Sequence, residues 1–160
     1  MKKIILKTAV SVFENKDQLP EHFQSLLIKA LSAVETAYAP YSNFYVGAAL
    51  LMENGEILIG SNQENAAYSM CLCAERVALA AAASQFPGVA VKAVAVTAKS
   101  NKKLIDQPIS PCGACRQSLC ESELQHSTEL QILLQGQTGP IYLFKTAKDL
   151  LPFSFDARYL

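Results

Sequence analysis

The chain has 160 residues, 51% of them apolar, with 14 basic and 14 acidic side chains and no net charge. That length buries a core in one domain, here 1–160, without disulfide staples, and no apolar run approaches the ~20 residues that cross a membrane. Balanced charge argues against holding nucleic acid through its phosphates; the one basic cluster, "KSNKK" at 99–103, reads as a solvated loop, which leaves a small, nearly neutral partner as the expectation.

The start, "MKKIILKTAVSVFENKDQ", opens on lysines and a short apolar run. Lys7 and Thr8 break the run and no small-residue cleavage site follows, so it does not read as a signal peptide. Residues 3–13 read instead as a strand within an N-terminal extension, 1–20, and the protein is expected in the cytoplasm with no membrane attachment. Residues 20–38 read as a helix: Pro20 suits a first turn, and Phe23, Leu26, Leu27, Ala30, Leu31 and Val34 form one apolar face. Pro40 then disfavours helix at Ala39. "YVGAALLMENGEILIGSN" is two apolar runs about "ENGE", a hairpin in which Asn54 and Gly55 accept the positive φ angles of a tight turn.

A helix over about 73–85 follows, then "VAVKAVAVTA" at 89–98, apolar nearly throughout, as a strand covered on both faces would be. "SPCGACRQSLCESEL" reads as a helix opening with Pro111. "LQILLQ" and "IYLF" are further short strands, and "TAKDLLP" a last short helix. Strands alternating with helices after an initial hairpin predict an α/β fold, a mixed sheet with helices on both faces.

Five cysteines, Cys71, Cys73, Cys112, Cys115 and Cys120, make an odd count in a chain too long for a small secreted scaffold, which points to metal or redox chemistry. "PCGAC" alone fits zinc, a redox pair or two buried thiols, because a helix N-terminus favours the thiolate in each of the first two cases. "CAER" at 73–76 brings a third thiol to a second helix start. Three cysteines with the fourth position left to water is the arrangement of a catalytic zinc, and Glu75 is placed to exchange protons with that water. Arg76 can donate to the sulfurs and draw off their charge. Blander explanations exist: Glu75 suits any helix N-terminus, and Arg76 can pair with it at the surface. A thiol–disulfide oxidoreductase on Cys112 and Cys115, and a closed structural zinc site that adds Cys71, also remain open. His22 and His126 have no ligand spacing to the cysteines, and Cys120 reads as a buried thiol.

"CAER" followed by "PCGACRQ" resembles the zinc signature of the cytidine deaminases, in the small three-cysteine form. "YSNFYVGAAL" is similar to the family's first strand after helix one, "NQENAAYSMC" to its substrate loop and "LLPFSF" to its C-terminal segment, so the likeness runs from about 20 to 155. It implies a three-layer α/β/α fold with a five-stranded mixed sheet and one zinc per subunit on Cys73, Cys112 and Cys115. Glu75 would carry protons, with Arg76 and Gln117 tuning or positioning the ligands. Asn62 and Glu64 would bind the ribose hydroxyls, Phe44 would pack on base or sugar, and the backbone at Ala66 and Ala74 would meet the base edge. It further implies a homotetramer in which Tyr68 and Phe155 act on a neighbour's pocket. Tyr45 and Gln63 depart from residues frequent in the family. The implied activity is hydrolytic deamination of cytidine and 2′-deoxycytidine in pyrimidine salvage, or of another small amino-heterocycle such as blasticidin S.

Overall fold

The computed structural model describes residues 1–160. In chain order its elements are β1 (Ser11–Phe13), α1 (Glu21–Val34), β2 (Phe44–Met52), β3 (Ile57–Ser61), α2 (Ala74–Gln85), β4 (Val91–Ser100), α3 (Gly113–His126), β5 (Gln131–Gln135) and β6 (Ile141–Phe144). The strands form one mixed sheet in the order β1-β6-β5-β4-β2-β3, in which only β4 and β5 run parallel. The sheet thus has six strands where five are expected, because β1 of the N-terminal extension adds an edge strand to β6. Only three residues of the strand expected over 3–13 pair. Their register, Ser11 to Leu143 and Phe13 to Ile141, leaves only Phe144 of the short β6 beyond Ser11, so residues before Val10 run out of partner.

β4 lies near the middle of the sheet, and Ala93 to Ala98 along it are all buried. Its alternating side chains feed two cores. Ala93 and Ala95, with Ala49 of β2, face α1 and meet Phe23, Leu26, Leu27 and Ala30. Val94 and Val96, with Ala48, Leu50 and Met52, face Ala74, Ala78 and Ala82 of α2 and Leu119 and Cys120 of α3. Helices therefore cover both faces, as the three-layer expectation has it. Small side chains on the α1 face let that helix approach closely; a Cβ on Gly47 would collide with the Ala30 carbonyl.

Three local expectations shift. The first helix ends at Val34 and not near Tyr38, because the Thr36 hydroxyl turns back to the Ala33 carbonyl (2.9 Å) and closes the last turn. Its buried stripe takes in Ala33, while Leu31 is exposed. In the hairpin only Gly55 has positive φ, +86°; Asn54 instead accepts the Glu56 amide with its side chain (3.1 Å). Pro111 stands one residue before the N-cap of α3 and not in its first turn.

The registers set where the chemistry sits. Ser61 at the end of β3 pairs with Gly47, and Ser100 at the end of β4 pairs with Phe44. Both strands therefore finish at the start of β2, and the loops leading to α2 and α3 leave from this edge.

Candidate active site: a three-cysteine cluster and its cavity

Cys73 and Cys112 are the N-cap residues of α2 and α3, both with extended backbone, and Cys115 lies in the first turn of α3. Neither N-cap side chain accepts a backbone N–H of its own helix, so both thiols are free to face one another across the gap. The start of α2 is held against β3 at Gly60, where a Cβ would collide with the Ala74 carbonyl and stand 2.6 Å from the Ala78 amide. Glycine is required there by close approach, and that approach places Cys73.

The sulfurs of Cys73 and Cys112 are 3.7 Å apart and those of Cys112 and Cys115 3.5 Å; all three lie within 4.8 Å of one another. Thiolates about 2.3 Å from a tetrahedral zinc stand about 3.8 Å from each other, so the donor set fits zinc with little adjustment. No fourth histidine, cysteine or carboxylate joins the group, which is the open donor set of a catalytic site. Two helix N-termini directed at the sulfurs favour their anionic form. The Cys73 thiol is lowered to about 6, chiefly by the hydrogen bond from Cys115. Burial opposes that shift, Cys112 aids it, Glu75 opposes it and the charge of Arg76 aids it. The same bond, with burial and the charge of Glu75 behind it, pushes Cys115 far up.

Glu75, in the first turn of α2, is only 4% exposed. Burial pushes its carboxyl above the ordinary carboxylate range, partly offset by hydrogen bonds from its own backbone amide and from Cys115. A carboxyl raised in this way holds a proton more readily than an exposed one, as a group that both takes and gives a proton must.

Cys73, Cys112 and Glu75 border a cavity of about 450 Å³, which also receives Phe44, Asn62, Glu64 and Ala74, while Cys115 is fully buried outside the lining. Asn62 is anchored to the first strand turn of β2: its Oδ1 accepts the Val46 amide (2.7 Å) and its Nδ2 donates to the Phe44 carbonyl (2.9 Å). Glu64 accepts the amides of Tyr41 (2.9 Å) and Ser42 (3.2 Å) on one oxygen. Burial alone would raise the Glu64 carboxyl. Its bonds to Ser42 and Tyr41, with the charge of Lys102, hold it below the usual range. Each side chain keeps unused donor or acceptor capacity for a ligand.

The remaining expected residues lie elsewhere. Ala66, Tyr68 and Phe155 do not border this chain's cavity; Tyr68 and Phe155 are exposed, Tyr68 set edge-on to Tyr41. Arg76 is exposed and reaches Cys73 through its charge, without a hydrogen bond to the sulfurs. Gln117 bonds the backbone of Phe155. Cys71 borders the cavity outside the three-sulfur group; its thiol accepts the Asn65 amide (3.2 Å) and donates to the Asn65 carbonyl (3.6 Å). Gln63, Val46, Leu72, Ile109 and Ser110 complete the lining, and none was among the expected site residues. Val46 follows Phe44 at strand spacing and was within reach of the pattern; Ile109 and Ser110 lie in an irregular loop that carries no periodic signal.

Residues 20–128 match the family model described as the cytidine and deoxycytidylate deaminase zinc-binding region. A protein of Sporosarcina psychrophila named cytidine deaminase is 50% identical over 138 residues, 86% of this chain and 93% of its own length. One of Halalkalibacterium halodurans, also named cytidine deaminase, is 42% identical over 135 residues, 84% of this chain and 95% of its own. Among solved structures, a cytidine deaminase from Burkholderia pseudomallei superposes with a TM-score of 0.71 at 42% identity, covering 86% of this chain and all of that one. Another from Mycobacterium tuberculosis gives 0.65 at 33% identity, over 84% of this chain and 97% of that one. The three-layer fold, the open trio of thiols beside a buried glutamate and these likenesses agree: the chain belongs to the cytidine and deoxycytidylate deaminase family.

Proposed function

We propose that the protein is a zinc-dependent hydrolase converting free cytidine and 2′-deoxycytidine, with one water, to uridine or 2′-deoxyuridine and ammonia, a step of pyrimidine salvage. One observation carries the reading. A buried carboxylate, Glu75, shares a cavity with two thiols of a zinc-fitting trio and with an anchored amide–carboxylate pair suited to sugar hydroxyls. A volume of about 450 Å³ is in the range of small-ligand sites.

Cys73, Cys112 and Cys115 would hold one zinc ion per subunit. Bound there, the ion supplies Lewis-acid activation of water, bringing its pKa toward 7. Glu75 takes the water's proton and delivers it to N3 of the cytosine ring, which makes C4 more electrophilic. The water's oxygen adds to C4. Glu75 then takes the proton of the resulting C4 hydroxyl and passes it to the amine, so that the C4–N bond breaks, ammonia leaves and the C4 carbonyl forms. One carboxylate serves both transfers. Asn62 and Glu64 hold the sugar, the backbone at Ala66 and Ala74 meets the base edge, and Phe44 packs against the ligand. Arg76 moderates the negative charge of the thiolates.

The working assembly is a homotetramer in which Tyr68 and Phe155 reach a neighbour's cavity. Their exposure supports this, as does a groove of about 530 Å³ between α2 and α3, walled by Leu79, Ala83 and Phe86, that a second copy can cover. Five free cysteines fit a reducing cytoplasm. No helix is long and apolar enough to cross a membrane.

The test is uridine formation by the zinc-loaded protein and by Glu75→Gln. The variant should keep zinc and lose about 10²–10⁴-fold in kcat. A panel of cytidine, 2′-deoxycytidine, cytosine, adenosine, CMP and single-stranded DNA should return activity on the two nucleosides. Near wild-type turnover by a folded, zinc-loaded Glu75→Gln protein overturns the assignment.

A further inference from the structure

The two residues after the last thiol of the cluster both reach for the C-terminal chain. Arg116 donates through Nε to the Pro111 carbonyl (2.8 Å), just before Cys112, and through a terminal nitrogen to the Leu150 carbonyl (3.1 Å). Gln117 closes on a single residue from both sides. Its Nε2 donates to the Phe155 carbonyl (2.7 Å), and its Oε1 accepts the Phe155 amide (3.2 Å). A side-chain amide matched to one residue's N–H and C=O imitates a backbone pair, so it fixes the position and the orientation of that residue together. Between these two anchors Ser154 comes beside Cys120, one helical turn further along α3.

The tail is ordered beyond the clasp as well. Asp156 accepts the Arg158 amide (3.0 Å), and its carboxylate receives the Arg158 guanidinium on both oxygens, at 2.9 and 2.6 Å. Phe155 stacks on Tyr159 with ring centres 5.7 Å apart, yet the two rings are 58% and 68% exposed. Ordering a chain terminus opposes folding through lost entropy, and here the ordered rings cover no core of their own subunit.

We propose that Gln117 is a positioning residue for nucleoside binding. With Arg116 it mounts the tail on α3, the helix that carries two of the three thiols, so that Phe155 is held at a fixed place for the cavity of an adjoining copy. This rests on the reading above that Phe155 serves a neighbour's cavity, and it gives Gln117 a different role from tuning the zinc ligands. One donor and one acceptor of its amide are committed to Phe155, and none of its hydrogen bonds goes to a sulfur.

A double-mutant cycle tests it in the zinc-loaded enzyme, with kcat, KM for cytidine and zinc per subunit measured for Gln117→Ala, Phe155→Ala and the pair. Gln117→Ala should raise KM about tenfold, the loss of two hydrogen bonds, with kcat and zinc content within twofold of wild type. The pair should be no worse than Phe155→Ala alone. Gln117→Met keeps the side chain's length without its hydrogen bonds and should behave like Gln117→Ala; a wild-type KM for it shows that only packing matters and overturns the proposal. Additive KM effects, or a loss of zinc or of kcat at unchanged KM, overturn it too. If Phe155→Ala leaves KM unchanged, the reading of the tail falls and the positioning role with it. If Phe155→Ala raises KM and Gln117→Ala does not, the positioning role alone falls.

Discussion

The thiol side of the cavity, the proposed metal side, is carried by helix ends, and the opposite, proposed sugar side by strand ends and a loop. Cys73, Glu75, Cys112 and Cys115 stand at the starts of α2 and α3, whose next turns bury Ala74, Ala78 and Leu119 in the core against β2 and β4. Their positions are set by packing, and packed interiors admit few small adjustments. Asn62 and Glu64 are held by hydrogen bonds to the backbone of residues 41–46. Such bonds are individually modest and exchangeable with water. Changes on the metal side should therefore act on zinc and turnover, and changes on the sugar side on affinity.

The sharpest way to break that division is Cys115→Ala. Cys115 is fully buried and is one of the three proposed zinc ligands, so its loss removes that donor and leaves a small void together. Zinc content measured on the purified variant should fall to background and uridine formation should become undetectable. If the variant holds stoichiometric zinc and turns over cytidine, the metal side is not built as described.

Glu64→Gln probes the other side with a smaller effect. The substitution keeps size but removes the charge that receives the Tyr41 and Ser42 amides and borders the cavity. KM for cytidine should rise about 10- to 100-fold, with zinc unchanged and kcat within a few-fold. Because the folded-state carboxyl sits below its ordinary value, its contribution to stability is complete above the ordinary carboxylate range and is lost as pH falls through the lowered one. The KM difference between wild type and variant should accordingly be flat from pH 5 to 8. A fall in zinc content or in kcat alone would join the two sides into one unit.

What the sequence revealed follows the same division. On the metal side, residue type and spacing are the signal: thiols at two helix starts, with a carboxylate two residues on, are rare without chemistry. On the sugar side, Asn62, Glu64 and Phe44 stand in a strand end and a loop where amides, carboxylates and aromatics are ordinary, and only the resemblance singled them out. The tail shows the limit most clearly. Nothing in "CRQ" says that Gln117 will meet Phe155, a contact 38 positions away made with backbone atoms that every residue has. At the other terminus, the apolar alternation over 3–13 is strand-like, yet β1 is cut short by the length of β6, since pairing needs a partner as well as a propensity.

Cys71 sits where the two sides join and should show the smallest effect. It borders the cavity two residues before Cys73, and its thiol closes the loop that carries Glu64 by bonding the Asn65 backbone. Gln63 and Leu72 exchange both backbone hydrogen bonds at 2.9 Å beside it, so the loop keeps its main attachment when the thiol is removed. Cys71→Ala should therefore retain full zinc and wild-type kcat and raise KM by only about two- to threefold, as expected for two weak sulfur bonds. Loss of zinc in this variant would mean that the metal recruits a fourth thiol. The open donor set inferred from the three clustered sulfurs would then be wrong, and Cys71 would belong to the packed side of the cavity and not to its adjustable one.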